Sequence, residues 1–157
     1  MIVQIGSRRV AASVAFVLIA EVNQDFALCI IVGSCVIEDT IGKALSAFEK
    51  AMEDNFDNSE TFFYAAICLL KGRKAFLLNR TEIDKAEEYI NAAIMIEPRG
   101  IYYYFLAYIK YDYFSRKYFK TSPTYQEALK MAQQQGFSPY DAEQLFSILG
   151  VEKPSVF

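Results

Sequence analysis

The 157 residues of this chain include no histidine. The side chains considered for acid–base, nucleophilic or metal chemistry are therefore its carboxylates and its three cysteines. Triads of the Ser-His-Asp and Cys-His types both need an imidazole as base, so both are excluded. The cysteines are Cys29, Cys35 and Cys68, and they form no CxxC motif of the zinc-ribbon or thioredoxin type. An odd number of cysteines favours reduced thiols in a reducing compartment.

Adjacent carboxylates occur at Glu53 with Asp54 and at Glu87 with Glu88. Neighbouring residues on a helix do not face each other, and acid–base catalysis needs one carboxylate in an apolar pocket. The glycines lack the spacing of a phosphate-binding loop. The sequence therefore predicts a non-enzymatic protein with no cofactor and no metal site.

The charge of the chain is −3 overall and unevenly distributed. Acidic residues dominate from Glu38 to Glu60, whereas basic residues dominate from Pro98 to Lys120. The net charge argues against a general nucleic-acid binder. The two charged regions are interpreted as solvated helix faces or, alternatively, as a bipolar surface that orients a partner.

An internal repeat is visible around three alanines, Ala44, Ala86 and Ala128, which lie 42 residues apart. The stretch 62–65 aligns with 104–107 at the same offset. Ala44, Phe48 and Ala51 have the i, i+4, i+7 spacing of one helical face. Each unit is therefore expected to contain two helices.

The longer helices are predicted over Ser59 to about Leu78 and about Ile101 to Phe119, the first with Asn58 as its N-cap. Residues 79–81 are predicted as an exit loop. Ser122 is expected to cap the next helix, with Pro123 in its first position. A last helix is predicted over Pro139–Leu149, capped by Ser138 with Asp141 and bounded by Gly136 and Gly150.

These units resemble the tetratricopeptide repeat family. Ala86, Ile90, Ala93 and Pro98 match the spacing of its second helix, and Tyr103, Leu106 and Ala107 match its first. The resemblance covers about residues 40–135 and departs in its 42-residue period, since the usual period is 34. It implies an all-α fold of antiparallel helix-hairpin repeats over residues 38–150, with a C-terminal capping helix and a tail, 151–157. An unrelated helical bundle that arose by duplication is the alternative.

The first 37 residues are apolar but contain no run of the roughly 20 apolar residues that a membrane span needs. They are interpreted as a degenerate helical pair or, alternatively, as two strands. A third interpretation is export, because Arg8-Arg9 precedes an apolar run and residues 32–35 are similar to a lipoprotein cleavage box. We expect a cytoplasmic protein, or an exported lipoprotein if the chain is cleaved before Cys35.

Seven tyrosines lie between Tyr102 and Tyr118. By the family resemblance, the first helix of each unit lines a concave groove. The predicted partner-binding residues are Phe62, Ala66, Leu69, Tyr104, Tyr108 and Tyr111, with Lys110, Arg116 and Lys117 near the rim. The sequence thus predicts a scaffold that binds a peptide or helix of another protein. The alternatives are packing of the tyrosine stripe under the C-terminal helix, and self-association as a homodimer through residues 1–37.

Overall fold

A computed structural model describes residues 35–54 and 56–157, with side chains from residue 42 onward. Within these ranges the chain forms six α-helices and no strand, which confirms the predicted all-α fold. The helices are α1 (Cys35–Asp54), α2 (Ser59–Leu70), α3 (Arg80–Ile96), α4 (Gly100–Ile109), α5 (Tyr125–Gln134) and α6 (Pro139–Leu149). A 3₁₀ turn spans Ala75–Leu77, and a π-helical turn, Lys110–Ser115, continues α4. The interpretations of residues 1–37 and of the cleavage box before Cys35 lie almost entirely outside the described residues.

Side-chain caps begin helices α2 and α6 as predicted. Asn58 accepts hydrogen bonds from the backbone N–H groups of Glu60 and Thr61. Ser138 and Asp141 form a reciprocal capping box, and Pro139 occupies the first turn. Gly150 ends α6 with a left-handed φ of 66°, as expected for a helix stop.

The predicted exit loop at residues 79–81 and the predicted cap at Ser122 are wrong, and in both cases a capping box decides where the helix begins. Asn79 caps α3 through Glu82, so residues 80 and 81 belong to a helix rather than to an exit loop. Thr124, not Ser122, caps α5, because its third following residue is Glu127, which returns a hydrogen bond to the Thr124 N–H at 2.8 Å. The residue three positions after Ser122 is a tyrosine, which has no carboxylate to complete a box.

The predicted ends of the two longer helices are also wrong. Helix α2 stops at Leu70 rather than Leu78, because Lys71 and Gly72 both adopt left-handed backbone angles, with φ of 50° and 66°. The helical path from α4 stops at Ser115 rather than Phe119. Both early exits create loops, 71–79 and 116–124, on the same side of the helices.

The helices pack in chain order, with α1 against α2, α2 against α3, α3 against α4 and α4 against α5. Helix α6 then covers α4 and touches α2. The three repeated alanines are fully buried between these helices. At the start of α4, a side chain on Gly100 would lie 2.9 Å from the Cβ and backbone N of Phe137. Glycine is therefore what allows α4 to approach the exit of α5 so closely.

Candidate protein-binding site

The tyrosine stripe of α4 lies in the interior. Tyr104 and Tyr108 are 4% and 1% exposed, and the Phe146 ring of α6 contacts both, at 6.1 and 5.2 Å between centroids. Phe137 stacks on Tyr104 at 4.0 Å. The stripe thus packs under the C-terminal helix, and the expectation of an open groove at these residues is wrong, because α6 and the chain after it cover them.

The predicted residues of α2 are also core residues. Ala66 and Leu69 are buried, and Phe62 is half-buried with its ring 6.3 Å from that of Tyr89. None of the three therefore lines an open groove. Lys110, predicted near the rim, is buried as well: its ammonium lies 2.6 Å from a Glu87 carboxylate oxygen. Of the predicted set, Tyr108, Tyr111 and Arg116 line a site that a partner could enter. Lys117 lies beside it, against the Phe76 ring.

That site is a cleft of about 470 Å³ between the π-helical turn and the segment that follows α6. It is lined by Lys74, Tyr108, Tyr111, Asp112, Arg116, Glu152, Lys153, Pro154 and Ser155. Three cationic groups, Lys74, Arg116 and Lys153, thus line one cleft from three separate parts of the chain, beside two carboxylates, Asp112 and Glu152. An anionic group on a partner could contact all of these parts at once.

Asp112 holds the floor of the cleft together. Its carboxylate accepts hydrogen bonds from the Phe76 backbone N–H at 2.8 Å, the Tyr108 hydroxyl at 3.4 Å and the Arg116 guanidinium at 2.5 Å. The Tyr108 oxygen in turn accepts from the Ala75 N–H at 3.3 Å. Burial, together with the nearby Asp112 charge, raises the pKa of the Tyr108 hydroxyl, which stays protonated.

The π-helical turn sets the position of Asp112 in the cleft. The Arg116 N–H bonds the Tyr111 carbonyl five residues back, at 3.1 Å, instead of the carbonyl four residues back. Such wide turns are rare and occur frequently at functional sites. Here the wide turn carries Asp112 toward loop 71–79, where its hydrogen bond to Phe76 fixes the 3₁₀ turn.

The two loops meet to form a basic surface, which we call the basic edge. It consists of six residues with no acidic residue between them in either loop: Lys71, Arg73, Lys74, Arg116, Lys117 and Lys120. Arg73 pairs with Glu82, and Arg116 pairs with Asp112. Within residues 42–54 and 56–157 no ion pair involves the other four. The edge therefore keeps a concentrated positive charge on a protein whose net charge is −3.

Aromatic rings hold the cations of the basic edge in place. The Arg116 guanidinium and the Lys117 ammonium lie 4.5 and 4.9 Å from the centre of the Phe76 ring. Lys117 is also 3.9 Å from the centre of the Tyr113 ring. These contacts join the two loops, which are about one repeat unit apart in sequence, into one surface.

Large apolar side chains are exposed in the same two loops. Tyr118 is 94% exposed, Leu77 is 65% exposed and Phe119 is 49% exposed. Tyr118 also has a left-handed φ of 58°, the conformation at a helix end that glycine adopts without strain. An exposed tyrosine in this conformation costs stability and buries nothing. It points to a role in binding.

Replacing Tyr118 with glycine is expected to raise the free energy of unfolding by about 0.5–1 kcal/mol, because the left-handed strain disappears. Urea denaturation followed by circular dichroism measures the change. The matched control is Tyr140→Gly, which also removes an exposed tyrosine but from the first turn of α6. The control should lower stability, since glycine disfavours regular helix. A loss of stability in Tyr118→Gly would contradict this explanation.

Most residues of this site were not identified from the sequence, among them Lys71, Lys74, Lys153 and Tyr118. One signal was available. At the 42-residue offset, Lys74 aligns with Arg116 and Phe76 with Tyr118, so a basic residue precedes an aromatic residue by two positions in both units. The contribution of Lys153 has no local signal, because it depends on how the segment after α6 folds back.

Among the described residues, no group of histidine, cysteine, aspartate and glutamate side chains could hold a metal ion. No helix among the described residues has the length and apolar character that crossing a bilayer requires. Cys68 is buried, and its burial raises the pKa of the thiol to about 12, so this sulfur is protonated and unreactive.

Comparison with known proteins identifies no relative. No protein-family model, no curated protein and no solved structure matches this chain. The similarity to tetratricopeptide repeats therefore rests on the residues of this sequence alone.

Proposed function

We propose that this chain is a non-enzymatic interaction module that binds an acidic, extended segment of a partner protein at the basic edge and its cleft. The single observation that carries the proposal is the meeting of two sequence-distant basic loops around exposed aromatic side chains. Folding explains neither the unpaired charges of Lys71 and Lys74 nor the backbone strain at Tyr118. Both are explained by a partner that brings carboxylates and apolar groups to this surface.

The proposed architecture is a short tetratricopeptide-like repeat array, with α6 as its cap. Burial at the 42-residue offset supports it: Phe63 and Phe105 are both buried, and so are Ala65 and Ala107. The rings of Phe63 and Phe105 contact each other at 5.7 Å, as expected where successive units stack. In such an array the loops of successive units fall on one edge, which accounts for the meeting of loops 71–79 and 116–124.

An acidic peptide fits this surface better than a long polyanion does. A nucleic acid or a lipid bilayer would extend beyond the basic edge and meet the acidic residues of the rest of the protein. A peptide of a few residues contacts the edge alone. Its carboxylates would pair with Lys74, Arg116 and Lys153, while an apolar side chain would pack on Tyr118.

The test is fluorescence anisotropy with a labelled peptide of about ten residues, rich in glutamate and containing one phenylalanine. We expect saturable binding that weakens as salt rises. Reversal of two charges by Lys74→Glu with Lys153→Glu should weaken binding at least about tenfold, because both side chains are exposed and line the cleft.

The matched control is Lys50→Glu with Lys130→Glu, which makes the same charge change at two exposed lysines on α1 and α5. These variants should change the affinity less than about twofold. If both pairs of substitutions weaken peptide binding equally, the effect comes from net charge alone, and the proposed binding site is wrong. Tighter binding of single-stranded DNA or of phosphatidylserine vesicles than of the peptide would overturn the proposed class of partner.

A further inference from the structure

A second feature of the molecule, adjoining the cleft and sharing Tyr108 and Tyr111 with it, is a cage of tyrosine rings that contains one phenylalanine. Phe157 lies with its ring centre 5.4 Å from Tyr104, 6.5 Å from Tyr108, 5.4 Å from Tyr111 and 6.4 Å from Tyr125. Three of these contacts are edge-on, the favourable geometry for aromatic pairs. These four tyrosines, the Tyr cage, therefore bind an aromatic side chain.

The phenylalanine arrives on a short extended segment after α6. Gly150 reverses the chain at the end of the helix, and a turn closed by the hydrogen bond from the Phe157 N–H to the Pro154 carbonyl, at 3.0 Å, presents the ring. No hydrogen bond joins residues 152–156 to the helices described above. The segment is thus held chiefly by Phe157 at one end and Val151 at the other.

A segment held in this way can be exchanged. Release of Phe157 breaks its ring contacts. It breaks no backbone hydrogen bond between residues 152–156 and the helices, because there is none. The free-energy cost of release therefore comes mainly from one side chain. The same segment from a second copy would restore each contact, since its sequence is identical. Exchange of an identical element between two copies is a low-cost route to their association.

We propose that the Tyr cage is a binding site for an aromatic side chain on an extended segment, filled in cis by Phe157 and open in trans to residues 150–157 of a second copy. The bound segment in cis competes with any segment in trans. It does so at the high effective concentration, in the millimolar range, that a short connection provides. The cage is therefore closed to dilute ligands until Phe157 leaves.

The experiment uses a labelled peptide with the sequence of residues 150–157 and the full chain carrying Phe157→Ala. The variant should bind the peptide at least about tenfold more tightly than the unmodified chain, in which the cage is occupied. A peptide with alanine in place of its phenylalanine should not bind. Adding Tyr111→Ala to the variant should abolish binding, whereas adding Tyr140→Ala, an exposed tyrosine elsewhere, should not.

Equal affinity of the peptide for both chains would overturn the proposal. Absence of binding to Phe157→Ala would also overturn it, provided that this variant is folded. Its circular dichroism spectrum and cooperative melting must then match those of the unmodified chain. If that variant does not fold, Phe157→Leu replaces it, since leucine keeps apolar volume in the cage but loses the ring contacts. The leucine variant should bind the peptide more tightly than the unmodified chain does. Failure of a folded Phe157→Leu chain to do so overturns the proposal as well. Neither outcome depends on the acidic peptide at the basic edge.

Discussion

Replacing Asp112 with alanine is expected to lower the free energy of unfolding by about 3 kcal/mol. The residue is 2% exposed, and its carboxylate is the acceptor for the Phe76 N–H and the Tyr108 hydroxyl. Without it, both donors stay buried and lose an acceptor, and the 3₁₀ turn loses its anchor. The pair with Arg116 adds less, because the Arg116 side chain is 42% exposed to solvent. Urea unfolding followed by circular dichroism measures the change.

Two further variants give this prediction its controls. Asp112→Asn keeps one carbonyl oxygen and most of the volume, so we expect about half the loss. Asp84→Ala removes an exposed carboxylate that also pairs with an arginine four positions away, Arg80, and should cost less than about 0.5 kcal/mol. If Asp112→Ala and Asp84→Ala cost the same, Asp112 does not anchor the loop.

Replacing Lys110 with alanine is expected to cost a similar amount, about 3 kcal/mol. Its ammonium lies 2.6 Å from the Glu87 carboxylate of α3 and 2.7 Å from the Thr121 hydroxyl. The side chains of Lys110 and Glu87 are 6% and 15% exposed, so the mutation leaves a carboxylate nearly buried and without its counter-ion. It also removes the contact between the ammonium and the Phe114 ring, at 4.7 Å. Thermal and urea unfolding report the loss.

The origin of this loss can be separated from simple packing. The double variant Lys110→Met with Glu87→Met removes both charges and keeps the apolar volume, so its stability should lie within about 1 kcal/mol of the unmodified chain. Recovery in the double variant shows that the single substitution is costly because it isolates a charge. A double variant that is less stable than Lys110→Ala would contradict this account.

Local sequence rules predicted the helices best where a cap and its partner are close in the chain. Asn58, Ser138 and Gly150 were all assigned correctly, because their hydrogen bonds or backbone angles involve residues within one turn. The failure at Ser122 has the same basis: the complete box at Thr124 and Glu127, two residues later, is the stronger signal. The end of α2 before Lys71 and the turn from Ser115 to Tyr118 were missed, because neither lysine nor tyrosine favours the left-handed angle found at Lys71 and Tyr118.

The tyrosine stripe shows what a pattern on one helix leaves open. Tyr104, Tyr108 and Tyr111 do share a face, since all three contact the ring of Phe157. Their spacing predicted that face correctly. It could not predict whether solvent, a partner or the chain itself covers the face, because the covering residues lie more than 30 positions away.

The sequence by itself determined three things about this protein: an all-helical fold, buried repeated alanines and the absence of histidine chemistry. Each follows from composition or from periodicity along one helix, which local physics governs. Only the tertiary structure decided which faces are covered and which charges meet. Burial of Lys110 beside Glu87, the joining of two basic loops across Phe76, and Phe157 in the Tyr cage all link residues far apart in the chain. Such contacts depend on how helices stack and where the chain turns back, and no short stretch of sequence contains that information.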